Sequence, residues 1–156
     1  MTIENHFIFR PATKKELPRI AELKVAMFRD VGASNLLSED AFDIIVEDYR
    51  KRYDRDEAIH FVAVCDLTII ATAGAFLKSA LPYRYFQTPF YGFIGDVYTE
   101  PTYRRQGLAN RLSEMAVDWL KSREVAMIKL LTSAEGRSIY EKLGFESSNE
   151  MVLLCE

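Results

Sequence analysis

The stretch Val97-Tyr98-Thr99-Glu100-Pro101-Thr102-Tyr103-Arg104-Arg105-Gln106-Gly107-Leu108-Ala109 reads as a strand that runs into a turn and opens a long helix. The first N–H groups of a helix lack intrahelical partners and face along the positive end of its dipole, so a helix start is a seat for phosphate. Gly107 and Ala109 are small, and backbone there can lie close to a bulky diphosphate. Arg104 and Arg105 add positive charge and bidentate donors beside it. On residue types alone the spacing Arg-x-x-Gly-x-Ala leaves a plainer reading open, with two solvated arginines and a turn glycine. Other phosphate motifs are missing: the chain has no Gly-x-x-x-x-Gly-Lys-Ser/Thr and no Gly-x-Gly-x-x-Gly after a strand.

On the same strand, Asp96, Tyr98 and Glu100 are spaced by two and project to one face. Asp96 is the first candidate for a general base, directly or through a water; a structural hydrogen-bond acceptor is the other reading. No Ser-His-Asp or Cys-His set is evident, which disfavours a covalent enzyme intermediate. His6 and His60 are far apart and no Cys-x-x-Cys occurs, so no metal is expected. Cys65 and Cys155 sit in apolar surroundings and read as buried free thiols.

Positioning such residues takes an alternation of helices and strands. Ile8 and Phe9 make a short apolar start. Thr13 can cap a helix beginning near Lys14, with Leu17, Ile20, Ala21, Lys24 and Phe28 at helical spacing and Gly32 as its stop. Ser38 can cap a second helix carrying Phe42, Ile45, Val46, Tyr49 and Tyr53. Ile59–Cys65 and Thr68–Phe76 read as a hairpin about Asp66-Leu67. Tyr91–Glu100 is the strand that leads into the turn, and the helix after it runs to about Lys121 with Leu108, Leu112, Met115, Ala116 and Trp119 on its buried face. A strand over 126–132, a short helix over 136–143 and a final strand over 145–154 complete the order. The segment 78–89 shows no periodicity; its Tyr83, Tyr85 and Phe86 suit either a surface loop or the wall of an acceptor pocket.

With these elements placed, the 97–109 stretch resembles the acyl-CoA signature of the GNAT superfamily of N-acetyltransferases, Gln/Arg-x-x-Gly-x-Gly/Ala after a strand. Gly136-Arg137-Ser138-Ile139-Tyr140-Glu141-Lys142-Leu143-Gly144-Phe145 resembles the family's second signature, a tyrosine followed by a Gly-Phe exit. One departure stands out: many members carry asparagine seven residues before that tyrosine, and Ser133 occupies the place here. The resemblance implies one GNAT-like domain over 1–156, a mixed α/β fold whose central, mostly antiparallel sheet has six to seven strands with helices on both faces. It implies acetyl-CoA as cosubstrate and no metal. The backbone of Val97, Tyr98 and Thr99 would pair with the pantetheine arm as an added strand. The N–H groups of Gln106, Gly107, Leu108 and Ala109 would cradle the pyrophosphate, Ser133 would reach the pantetheine, and Tyr140 would serve as general acid on the departing thiolate.

Composition bounds these readings. A chain of 156 residues fits one domain that can bury a full core. A formal net charge of −3 argues against general nucleic-acid binding, which needs a basic face. Neither a signal peptide nor a stretch long enough for a membrane helix is evident, so a cytoplasmic protein is expected. The leading expectation is an N-acyltransferase that moves an acetyl group to a primary amine, carried by a small molecule or a peptide, by direct attack in a ternary complex. A non-catalytic acyl-CoA sensor with the same fold and a plain interaction domain stand beside it. A homodimer is possible by family resemblance.

Overall fold

The structure, a computed structural model, describes residues 6–81 and 88–155. Strand β1 (Ile8–Pro11) leads through a short 3-10 turn into helix α1 (Leu17–Asp30). Thr13 and Glu16 form a capping box there, satisfying two of the donors a helix start leaves open. Pro18 falls at the start of α1, where its missing N–H costs nothing, and the chain leaves the helix through Gly32 at φ +70°. Helix α2 (Ala41–Asp54) begins behind Asp40 and not at Ser38, whose carbonyl accepts the Ala41 N–H in the preceding turn.

Strands β2 (Ala58–Cys65) and β3 (Thr68–Ser79) form the expected hairpin. Its two turn residues, Asp66 and Leu67, both have positive φ, the geometry that matches strand twist across a two-residue loop. β4 (Phe90–Thr99) pairs antiparallel with β3. Helix α3 (Leu108–Ser122) then crosses over, so β5 (Ile128–Leu130) lies parallel to β4. Helix α4 (Arg137–Lys142) follows and stops at Gly144, φ +96°.

The sheet order is β1-β2-β3-β4-β5, five strands among the described residues against the six to seven expected. The shortfall lies after Gly144. Residues 145–155 carry strand-forming types but join no ladder, and pattern alone makes no strand unless its backbone groups are paired.

Two apolar layers enclose the sheet. On one side Leu108, Leu112, Ala116, Val117 and Leu120 of α3 pack on Phe61, Ala63, Ala73, Ala75 and Ile94. On the other, Leu17, Ile20 and Leu23 of α1 with Tyr49 of α2 cover Val62, Val64, Ile69, Phe76 and Tyr98. Trp119 and Met115, read as buried, are only partly so. Cys65 is buried, whereas Cys155 is exposed, at the end of a run whose Met151, Val152, Leu153 and Leu154 are exposed as well. No helix among the described residues is long and apolar enough to cross a membrane. Tyr83, Tyr85 and Phe86 lie outside the described residues.

Candidate active site

β4 carries a bulge. Gly95 faces Gly74 and Tyr98 faces Thr72, so Asp96 and Val97 together oppose Ala73. Asp96 absorbs the extra residue with φ +55°, an uncommon value for a side chain other than glycine. The bulge turns the last part of β4 away from β5, and the β4–β5 ladder ends at Ile94 opposite Leu130. The Glu100 N–H donates to the Ile70 carbonyl of β3. By strand alternation Tyr98 also bonds toward β3, while Val97 and Thr99 present their N–H and C=O groups to the opposite edge. Among the described residues no strand lies beside that edge. The structure thus brings Val97 and Thr99 to the open side and leaves the Tyr98 backbone within the sheet.

The turn after β4 supplies a second set of open donors. Arg105 (φ +63°) and Gly107 (φ +77°) are both left-handed, an arrangement that turns successive N–H groups toward one concavity. Gly107 caps α3, whose first-turn N–H groups have no helical acceptor. A side-chain carbon at Gly107 would meet no atom within 4 Å, so the concavity is open. The arginines separate in role. Arg104 donates to the Thr99 carbonyl (2.9 Å), pairs with Asp30 of α1 (3.2 Å) and lies over the Tyr98 ring. Arg105 is exposed beside the donor loop.

Tyr140 on α4 is buried, with Phe145 edge-on to its ring at 6.0 Å between centroids. Burial raises its phenol pKa, and the Ser113 hydroxyl of α3 acts in the opposite direction without completing a hydrogen bond. Ser133 accepts the Gly136 N–H at 3.1 Å, which leaves its own proton to donate. Both Ser133 and the Tyr140 ring lie within 3.4 Å of a side-chain position at Gly136, so that glycine lets the two converge.

Asp96, Tyr98 and Glu100 do share a face, and each is taken up by α1 or its neighbours. Glu100 pairs with Arg19 (2.5 Å), the Tyr98 hydroxyl donates to Asp30 (2.5 Å), and Lys24 pairs with Asp96 (2.6 Å). The Asp96 carboxylate also receives the Tyr49 hydroxyl and His60 Nε2, the latter at 2.9 Å. His60 is fully buried, and its Nδ1 lies 2.9 Å from the Tyr53 hydroxyl, which in turn accepts the His60 N–H. Burial works to raise the Asp96 pKa, but the hydrogen bond and charge of His60 and those of Lys24 outweigh it. They hold the carboxyl well below the usual range. Burial first, and then Asp96, push the Tyr49 phenol far up.

Sequence reasoning missed this network. Lys24 sits inside an apolar helical stripe, and His60 inside an apolar strand, and each needs a partner to be buried there. Tyr49 and Tyr53 were read as core residues, yet their hydroxyls are what reach Asp96 and His60.

An edge of β4 open to an extended ligand, and a left-handed donor turn capping the next helix, match a known architecture. The family model for the acetyltransferase (GNAT) family covers residues 20–145. The chain belongs to the GNAT family. It is an acetyltransferase of that family. A relative, the aminoglycoside N(6′)-acetyltransferase type 1 of Acinetobacter haemolyticus, is 26% identical over 149 residues, covering 92% of this chain and 93% of its own. A predicted acetyltransferase from Clostridium acetobutylicum, solved with acetyl-CoA, superposes with a TM-score of 0.87 at 25% identity over 96% of each chain. An aminoglycoside N-acetyltransferase in complex with CoA superposes with a TM-score of 0.75 at 18% identity, covering all of this acetyltransferase and 98% of its own chain.

Proposed function

We propose that the acetyltransferase moves an acetyl group from acetyl-CoA directly to the primary amine of a small cationic molecule, in a ternary complex and without a covalent enzyme intermediate. The observation that carries the reading is the paired opening just described, an unladdered β4 edge running into a left-handed donor turn. The pantetheine amides bond to Val97 and Thr99, and the pyrophosphate rests on the N–H groups of Gln106, Gly107, Leu108 and Ala109 with Arg105 beside it. Arg104 straps the end of β4 to α1 from behind, and the Ser133 hydroxyl donates to the pantetheine arm.

Holding amine and thioester together supplies much of the rate gain. The Val97 N–H, turned outward by the bulge, donates to the thioester oxygen as negative charge develops there. The amine nitrogen bonds to the acyl carbon as the carbon–sulfur bond breaks, and the amine gives its surplus proton to water at the cleft mouth. The leaving sulfur takes a proton from Tyr140, which regains one from solvent. A thiol titrates near 8.5 and a phenol near 10, so this transfer helps without being obligatory. Asp96, held low by its donors, is a weak base; its part is to pin the bulge that aims Val97.

The acceptor class is supported by the aminoglycoside-modifying relative, which matches nearly the whole chain. On α2, Glu47 and Asp48 bond Arg50 and Arg52 of their own helix and are not offered to a ligand. The test is a thermal-shift titration with acetyl-CoA, coenzyme A and ATP on wild type and Gly107→Glu, followed by turnover on a panel of aminoglycosides, polyamines and peptides. Stabilisation by both CoA species, lost in the variant, with acetylation confined to small polyamino compounds, is expected. Binding without turnover on any amine moves the reading to an acyl-CoA sensor. Turnover on peptides alone overturns the acceptor class.

A further inference from the structure

Gly74 opens a path across the middle of the sheet. In register it lies between His60 of β2 and Gly95 of β4, so this level of three strands carries one side chain, that of His60. A side-chain carbon at Gly74 would sit 3.0 Å from Nε2 and Cδ2 of the His60 ring and 2.7 Å from the Phe76 ring. The imidazole therefore lies over β3 in the space that glycine leaves. Its far nitrogen reaches Asp96, at the bulge of β4, at 2.9 Å. The Tyr53 ring, stacked at 5.9 Å, and the Phe76 ring, edge-on at 5.4 Å, fix the imidazole in this crossing.

The partners decide where the ring proton sits. Asp96, its carboxyl held ionised by its donors, can only accept, so His60 Nε2 donates to it. The Tyr53 hydroxyl accepts the His60 backbone N–H at 2.8 Å and has one proton of its own, which Nδ1 takes at 2.9 Å. Both constraints give the same tautomer, protonated at Nε2 and bare at Nδ1. A buried line of donors thus runs one way, from α2 through β2 to β4. It ends on the residue of β4 whose backbone is left-handed, φ +55°. Such a conformation persists in a residue with a side chain only where its surroundings impose it. Of the three donors to this carboxylate, Lys24 and Tyr49 stand on helices and only His60 stands in the sheet, so His60 fixes the bulge relative to the strands that frame it.

We infer that His60 is a positioning residue for acetyl transfer: reaching over Gly74 and oriented by Tyr53, it holds Asp96 so that the Val97 N–H meets the thioester oxygen. The inference rests on the reading of Val97 as the oxyanion donor.

Steady-state kinetics of His60→Leu and His60→Gln, with a proton–nitrogen correlation spectrum of the wild-type imidazole, test this. In His60→Leu, kcat is expected to fall about ten- to a hundredfold with KM for acetyl-CoA unchanged, the effect of a small misplacement at the reacting centre. His60→Gln keeps a donor for Asp96 and is expected to restore most of the rate. The spectrum is expected to show Nε2 protonated and Nδ1 bare. Should His60→Leu not fold, Tyr53→Phe takes its place, with kcat lowered less and the ring partly protonated at Nδ1. Turnover equal to wild type in His60→Leu or Tyr53→Phe overturns the inference. An equal loss in the leucine and glutamine variants marks a packing role and overturns it too, as does a loss carried by KM for acetyl-CoA or a wild-type ring protonated at Nδ1. Failure of the acetyl-transfer reading looks different, because wild type itself would then acetylate no amine.

Discussion

The two sides of β4 are built to opposite ends. Toward α1 every polar side chain of its last turns is bonded: Asp96 to Lys24, Tyr49 and His60, Tyr98 to Asp30, Glu100 to Arg19. Along its other edge, past Ile94, the backbone groups of Val97 and Thr99 face no strand among the described residues. One side uses its polar groups to hold still, and the other leaves them open, along the edge proposed for the pantetheine arm. The lesson is that a strand can serve as a template only if its reverse face is tied down, since a free edge on a loose strand would lose its register.

The sharpest way to separate the two sides is a change on the ligand side alone. Tyr140→Phe is expected to slow turnover by roughly ten- to a thousand-fold while leaving CoA-induced thermal stabilisation intact; unchanged turnover removes Tyr140 from the chemistry. Asp96→Asn attacks the tied side. Stripping the buried carboxylate from its donors is expected to cost about 3 kcal/mol in denaturant unfolding. The wild-type carboxyl has a folded pKa below its unfolded value near ~4. Its contribution is therefore present above pH ~4 and lost as pH falls from there toward the folded value. The variant should lack that acid-side fall; if it keeps it, other groups cause the loss.

Gly107→Glu returns to the ligand side. At about 100 times the dissociation constant, bound CoA adds about 2.7 kcal/mol of stability, and the variant should lose nearly all of it. The left-handed φ strains any side chain there, and the new carboxylate enters the space assigned to phosphate. A full shift in the variant would move the cofactor away from this turn. The smallest effect is expected for Tyr98→Phe, which removes one bond to an exposed part of α1. About 1 kcal/mol in stability is anticipated, with turnover nearly unchanged, because the Tyr98 backbone lies within the sheet.

The open side was more legible in the sequence than the tied one. The donor turn is local: Pro101, the arginines and Gly107 announce a break between strand and helix within a few residues, and α3 shows its buried face by periodicity. The α1–β4 bonds join residues such as Lys24 and Asp96, or Asp30 and Tyr98, that lie far apart in the chain, and no local pattern pairs them. The bulge escaped for the same reason. Asp96 has no composition signal for a left-handed backbone; its conformation is imposed by β3 on one side and by three donors on the other. The final strand was misjudged in the reverse direction, since 145–154 has the residues of a strand but joins no ladder in the described sheet.

The two-residue turn between β2 and β3 has a consequence for how fast the molecule assembles. Leu67 sits there at φ +66°, fully exposed, and a left-handed leucine costs roughly 1–2 kcal/mol that no contact returns. The hairpin it closes is the most local pairing in the central sheet, and its two strands carry the neighbours on which β1 and β4 are laid. The penalty therefore falls on the first step of sheet growth. Glycine at this position would lower that early barrier while keeping the same pairing of β2 with β3.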